Sequence, residues 1–136
     1  MNMDAAYSAL KKYFGYDSFR LTQSEVIQRT LNRQASLVIM PTGGGKSICY
    51  QLPAVLLNGL TIVVSPLIAL MQDQVTALQA NGIHAEALNS ACSNEEEWRI
   101  QQQSASGELT LLYVSPERAV SFGFLQWVRG INVAQI

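Results

Sequence analysis

The chain has 136 residues, with nine Lys and Arg against ten Asp and Glu, for a formal net charge of −1. Hydrophobic residues make up 49% and charged residues 14%, which excludes a disordered, highly charged chain and supplies enough apolar side chain for a core. A near-zero charge also excludes a basic arm that holds nucleic acid by bulk electrostatics, so any such contact has to be local and shaped.

In chain order, Asp4 is placed to cap a first helix carrying Tyr7, Leu10, Tyr13 and Phe14 at helical spacing. A turn-rich piece follows from Gly15 to Arg20. Thr22 and Glu25 then have capping-box spacing, opening a helix with Val26, Ile27, Thr30 and Leu31 on one side. Ser36–Met40 reads as a buried strand. After the loop Pro41-Thr42-Gly43-Gly44-Gly45 a helix is expected from about Lys46 to Leu57, with Pro53 inside it kinking it or removing a backbone hydrogen bond.

Thr61–Val64 reads as a second strand, followed by Ser65-Pro66 and a helix to about Ala80 that Gly82 closes. A short strand is expected at Ala85–Leu88. Ser93 and Glu96 make a second capping-box pair, opening a helix to about Ser104. The strand Leu109–Val114 meets Ser115-Pro116 and further helix, and Ile131–Ile136 reads as a last short strand. In each Ser-Pro pair the serine suits the N-cap and the proline the first helical position. Strands and helices in strict alternation predict an α/β fold, a parallel sheet with helices on both faces. The last strand runs to the final residue, so the chain is expected to be a truncated piece of a sheet.

Cys49 and Cys92 lie far apart with no CxxC, and His84 is the sole histidine, so neither a disulfide framework nor a zinc site fits. No signal peptide opens the chain and no apolar stretch approaches a membrane span, so a cytosolic protein with no membrane partner is expected. His84 reads as a solvated loop residue, Trp98 and Trp127 as packing residues, and Glu95–Glu97 as a helical first turn favoured by the helix dipole.

The chemistry concentrates at Met40-Pro41-Thr42-Gly43-Gly44-Gly45-Lys46-Ser47, between a predicted strand and a predicted helix. That is the context a phosphate-binding loop demands. Glycines let successive N–H groups turn toward a phosphate, and the helix N-terminus adds partial positive charge. Lys46 and Ser47 are the candidate catalytic residues. Lys46 would reach the β- and γ-phosphates of a nucleotide, and the Ser47 hydroxyl would ligate Mg²⁺. Met40 stands where the strict pattern has its first glycine. Spacing alone leaves Gln23 either a base reader or a solvated residue of a first helical turn. It likewise leaves the two Ser-Pro pairs either phosphate-binding helix starts or simple caps.

These residues resemble the RecQ-type ATP-dependent DNA helicases. Met40–Ser47 with Cys49-Tyr50-Gln51-Leu52-Pro53-Ala54 is similar to that family's motif I, in which the first glycine is replaced. Phe14-Gly15-Tyr16 with Phe19-Arg20-Leu21-Thr22-Gln23-Ser24-Glu25 resembles motif 0. Val63–Val75 resembles motif Ia, and Leu112–Arg118 resembles motif Ib. The resemblance implies a RecA-like P-loop NTPase lobe, truncated before the end of the strand that leads to Asp-Glu-Ala-His. Residues 1–136 would then be part of the first lobe, with N-terminal helices over 1–34 carrying the adenine-reading motif.

The resemblance also implies ATP and Mg²⁺ as cofactors, single-stranded and duplex DNA as partners, and 3′ to 5′ unwinding in repair and recombination in the bacterial cytoplasm and nucleoid. Gln23 would read adenine, Tyr16 would stack on it, and Arg20 would hold its other face or a phosphate. Thr42, Gly43, Gly44, Gly45, Lys46 and Ser47 would cradle the phosphates and Mg²⁺. Ser65, Pro66 and Leu67, with Ser115, Pro116, Glu117 and Arg118, would line the path of a single DNA strand. The rival readings are a P-loop kinase or other ATPase, and a nucleotide-binding fragment without chemistry. The chain by itself is expected to be inactive.

Overall fold

Four apolar runs pair into one parallel sheet in the order β2-β3-β1-β4: β1 Leu60–Val64, β2 Ala85–Leu88, β3 Leu111–Val114 and β4 Val133–Gln135. The computed structural model describes residues 3–20, 22–40 and 45–136. They fall into two compact units, Met1–Asn58 and Gly59–Ile136.

In the second unit every residue of β3 is buried, the pattern of an interior parallel strand. Alternate residues point to opposite faces. Leu60, Ile62, Leu88, Leu112 and Val114 form one core with Ile100 of α5 (Asn94–Ser106) and Phe124 of α7 (Phe122–Val128). Against β2 packs α4 (Ile68–Ala80), which buries Met71, Val75 and Leu78. Gly82, at φ +81°, ends α4 as expected: its N–H bonds the Gln79 carbonyl and the Ile83 N–H bonds that of Leu78. Ser93 caps α5 by accepting from the Glu96 N–H at 3.1 Å, as its spacing predicts. Leu112→Ala should destabilise this unit by about 2–5 kcal/mol, because the site is fully enclosed. A urea midpoint read from Trp127 emission in a Trp98→Phe background checks it.

In the first unit α1 (Asp4–Ala9) runs into a π-helical turn (Leu10–Phe14), and α2 (Gln23–Leu31) packs on α3 (Ile48–Leu56). Their core is Ala6, Ala9, Leu10, Ile27, Leu31 and Leu52. Met3, not Asp4, is the N-cap of α1, and Asp4 sits in the first turn. Tyr7 is half exposed, its ring 5.0 Å from that of Phe19. The predicted capping box at Thr22 does not form. The Thr22 backbone (φ −92°, ψ +11°) is already close to helical, and its hydroxyl makes no cap. α3 continues through Pro53, whose missing N–H leaves the Cys49 carbonyl without its helical donor.

Two expectations are corrected. Ser36–Met40 is not a strand: Leu37 and Ile39 are 92% and 90% exposed, and the segment pairs with none of the four strands. Apolar composition specifies a tendency to bury, whereas a strand also needs a neighbour for its N–H and C=O groups. The helix after Ser65-Pro66 begins at Ile68, with Leu67 at its N-cap, so Pro66 is not its first residue. Among the described residues no helix is long and apolar enough to cross a membrane.

Candidate functional site

Of the predicted phosphate loop the structure describes Met40, which is buried, and Gly45, Lys46 and Ser47. Pro41, Thr42, Gly43 and Gly44 lie outside the described residues. Gly45 has φ +76°, a left-handed conformation that a side chain disfavours, and a Cβ placed there would run into the Gln23 amide. Lys46 is exposed, and Ser47 stands at the N-cap of α3. The Ser47 backbone is helical and its carbonyl accepts from Gln51 N–H at 2.9 Å. Its hydroxyl makes no capping bond, which leaves it available as an oxygen ligand.

Gln23 is not a solvated first-turn residue: it is 2% exposed. Its Oε1 accepts from the Arg20 N–H at 2.8 Å, and its Nε2 donates to the Gly45 carbonyl at 2.9 Å. The motif around Gln23 and the phosphate loop are therefore hydrogen-bonded to each other across 22 residues of sequence. Arg20 takes part through its backbone while its side chain is exposed, and Tyr16 is likewise exposed. Cys49 is buried in the first turn of α3, and burial pushes its thiol above the usual range, so it stays protonated and inert at neutral pH. Its role is packing.

In the second unit, β1 and β3 are parallel neighbours with Val64 opposite Val114. That register brings Ser65 and Ser115 side by side at the C-terminal end of the two central strands, where the Ser65 N–H bonds the Val114 carbonyl and the Ser115 N–H bonds that of Leu88. Ser65 Oγ accepts from the Leu67 N–H at 3.3 Å, a local turn in place of a helix cap. Pro66 and Leu67 are exposed. Ser115 is buried and is the N-cap of α6 (Pro116–Ala119), with Pro116 first in the helix as predicted. Glu117 is exposed. Arg118 is paired: its Nη1 lies 3.1 and 3.2 Å from the two Glu97 carboxylate oxygens.

Sequence spacing gave no sign of two features. One is the Gln23–Gly45 bond, since a glycine carbonyl leaves no trace in residue type. The other is Glu97, read only as part of an acidic first turn. Trp127 packs edge-on to Phe124 as expected, at 5.4 Å, but Trp98 is 62% exposed and His84 is half-buried, 3.8 Å from the Glu86 carboxylate.

Residues 20–134 match the family model described as DEAD/DEAH box helicase. The chain is 54% identical over 123 residues to the ATP-dependent DNA helicase RecQ of Haemophilus influenzae, covering 90% of this chain and 20% of that protein. It is 50% identical to the proteins of the same name from Pasteurella multocida, over 95% of this chain, and Bacillus subtilis, over 94%. The chain spans about a fifth of the length of these relatives. A crystal structure of the DUF1998 helicase MrfA bound to DNA shares the fold, with TM-score 0.73 and 18% identity, over 96% of this chain and 20% of that one.

Proposed function

Because the chain belongs to the DEAD/DEAH box helicase family, we propose that it is the nucleotide-binding part of a RecQ-type, ATP-dependent DNA helicase moving 3′ to 5′ along single-stranded DNA in repair and recombination. The observation that carries this reading is the bond from Gln23 to Gly45, which ties a base-reading side chain to the phosphate loop. Lys46, exposed beside that loop, supplies charge to the β- and γ-phosphates. Gln23 keeps one N–H and one carbonyl lone pair beyond its two bonds, a donor and acceptor that match the N6 and N7 edge of adenine. Tyr16 and Arg20, both exposed nearby in sequence, provide a stacking ring and a cation.

A divalent cation, Mg²⁺ in this reading, would supply positive charge that offsets the charge of the phosphates. The described residues hold no group of three or more His, Cys, Asp or Glu suited to a metal. The uncommitted Ser47 hydroxyl fits one ligand position, with the remainder left to phosphate and water oxygens. Ser65, Pro66 and Leu67 beside Ser115, Pro116 and Glu117 provide the edge along which single-stranded DNA runs, and the side-by-side serines support that path.

The test compares ATP with GTP. Gln23→Ala should cut the preference for ATP about ten- to a hundredfold, the worth of a paired donor and acceptor on adenine. Its effect on binding of inorganic triphosphate should be smaller. Equal losses for both nucleotides would count against adenine reading. Turnover that single-stranded DNA fails to stimulate would favour a small-molecule ATPase or kinase.

A further inference from the structure

Arg118 is the one cation of the Ser115–Arg118 segment, and its charge is already met. Nη1 donates to both carboxylate oxygens of Glu97, and Nη2 lies 3.5 Å from the carbonyl oxygen of Asn89. Each side chain of the ion pair keeps only 28% exposure, so water screens the pair less than an open surface pair. The three partners come from three elements. Asn89 follows β2, Glu97 lies in the first turn of α5, and Arg118 is in α6.

α6 has four residues and buries none of them. So short a helix does not hold itself, and its orientation depends on what its side chains grip. The planar guanidinium, forked between a carboxylate and a carbonyl, supplies that grip with fixed geometry. A phosphate approaching Arg118 would meet a neutralised cation beside the exposed carboxylate of Glu117, and would have to displace Glu97 to bind.

We propose that Arg118 is a positioning residue and not a phosphate contact, with Glu97, outside every motif named above, as its working partner. Together they hold the Ser115–Arg118 segment in the orientation that engages single-stranded DNA. The proposal rests on the DNA path described under the proposed function.

The test uses a polypeptide of the relatives' length that carries this segment, with single-stranded DNA binding followed by fluorescence anisotropy across a salt series. Arg118→Ala and Glu97→Ala should each weaken binding about three- to tenfold, in the same direction, as expected for two residues acting as a unit. The slope of log Kd against log salt stays at its parent value, since no phosphate contact is lost. Arg118→Lys, which keeps the charge without the fork, remains weakened and keeps the experiment readable if an alanine variant fails to fold. Glu97→Arg combined with Arg118→Glu recovers most of the loss.

A phosphate role predicts the opposite pattern. Arg118→Ala would lower the slope by about 0.7, the value for one single-strand phosphate, Arg118→Lys would bind normally, and Glu97→Ala would tighten binding by freeing the cation. That pattern overturns the proposal while leaving the DNA path intact. A parent protein that binds no single-stranded DNA overturns the path itself, and the proposal with it, before any variant is compared.

Discussion

Replacing Lys46 with alanine, in a polypeptide of the relatives' length, is expected to reduce ATP turnover by at least about a hundredfold, the scale on which single charge-stabilising donors act in group transfer. Lys46 is exposed beside Gly45 and makes no ion pair among the described residues, so no structural role competes with a phosphate role. The loss should fall on turnover while the helical core of the first unit, built from Leu10, Ile27 and Leu52, stays intact. Steady-state phosphate release with circular dichroism on the same sample checks both halves. Unchanged turnover would remove Lys46 from the site.

Gly45→Ala should damage stability and nucleotide binding together. The left-handed backbone at φ +76° costs about 1–2 kcal/mol for a residue with a Cβ. The new methyl also displaces the Gln23 amide, which is buried and makes two hydrogen bonds worth about 1 kcal/mol each. A combined destabilisation of about 2–4 kcal/mol follows, confined to the unit that holds α2 and α3. The same collision predicts non-additivity. In Gly45→Ala with Gln23→Ala the methyl has no amide to strike, so the double variant should lose less than the two single losses combined. Hydrogen exchange of the α2 and α3 amides reads this directly, and strict additivity would mean that the glycine matters for its backbone alone.

These two residues show how far sequence reading reaches. The GGGKS run stands out because glycine for close approach and lysine for charge are residue types that a phosphate cradle would demand and few other roles demand together. The capping of α5 by Ser93 and the Schellman turn at Gly82 were legible for the same reason, since each depends on neighbours a few residues apart. Ser36–Met40 is the contrary case. Its apolar pattern is that of a strand, but a strand is a relation between two segments, and this one takes no part in the sheet's pairing.

Local chemistry, then, was determined by the sequence itself: the alternation that makes an α/β fold, the glycine-rich run that leads to Lys46, and the serines that end two strands. Only the tertiary structure decided which distant residues meet. The parallel register of Val64 with Val114 sets Ser65 beside Ser115, the fold of the N-terminal helices delivers Gln23 to the Gly45 carbonyl, and the placing of α6 brings Arg118 to Glu97. The physical reason is common to all three. Backbone carbonyls and carboxylates accept hydrogen bonds from any donor brought within about 3 Å, so residue type leaves the partner open until packing chooses it.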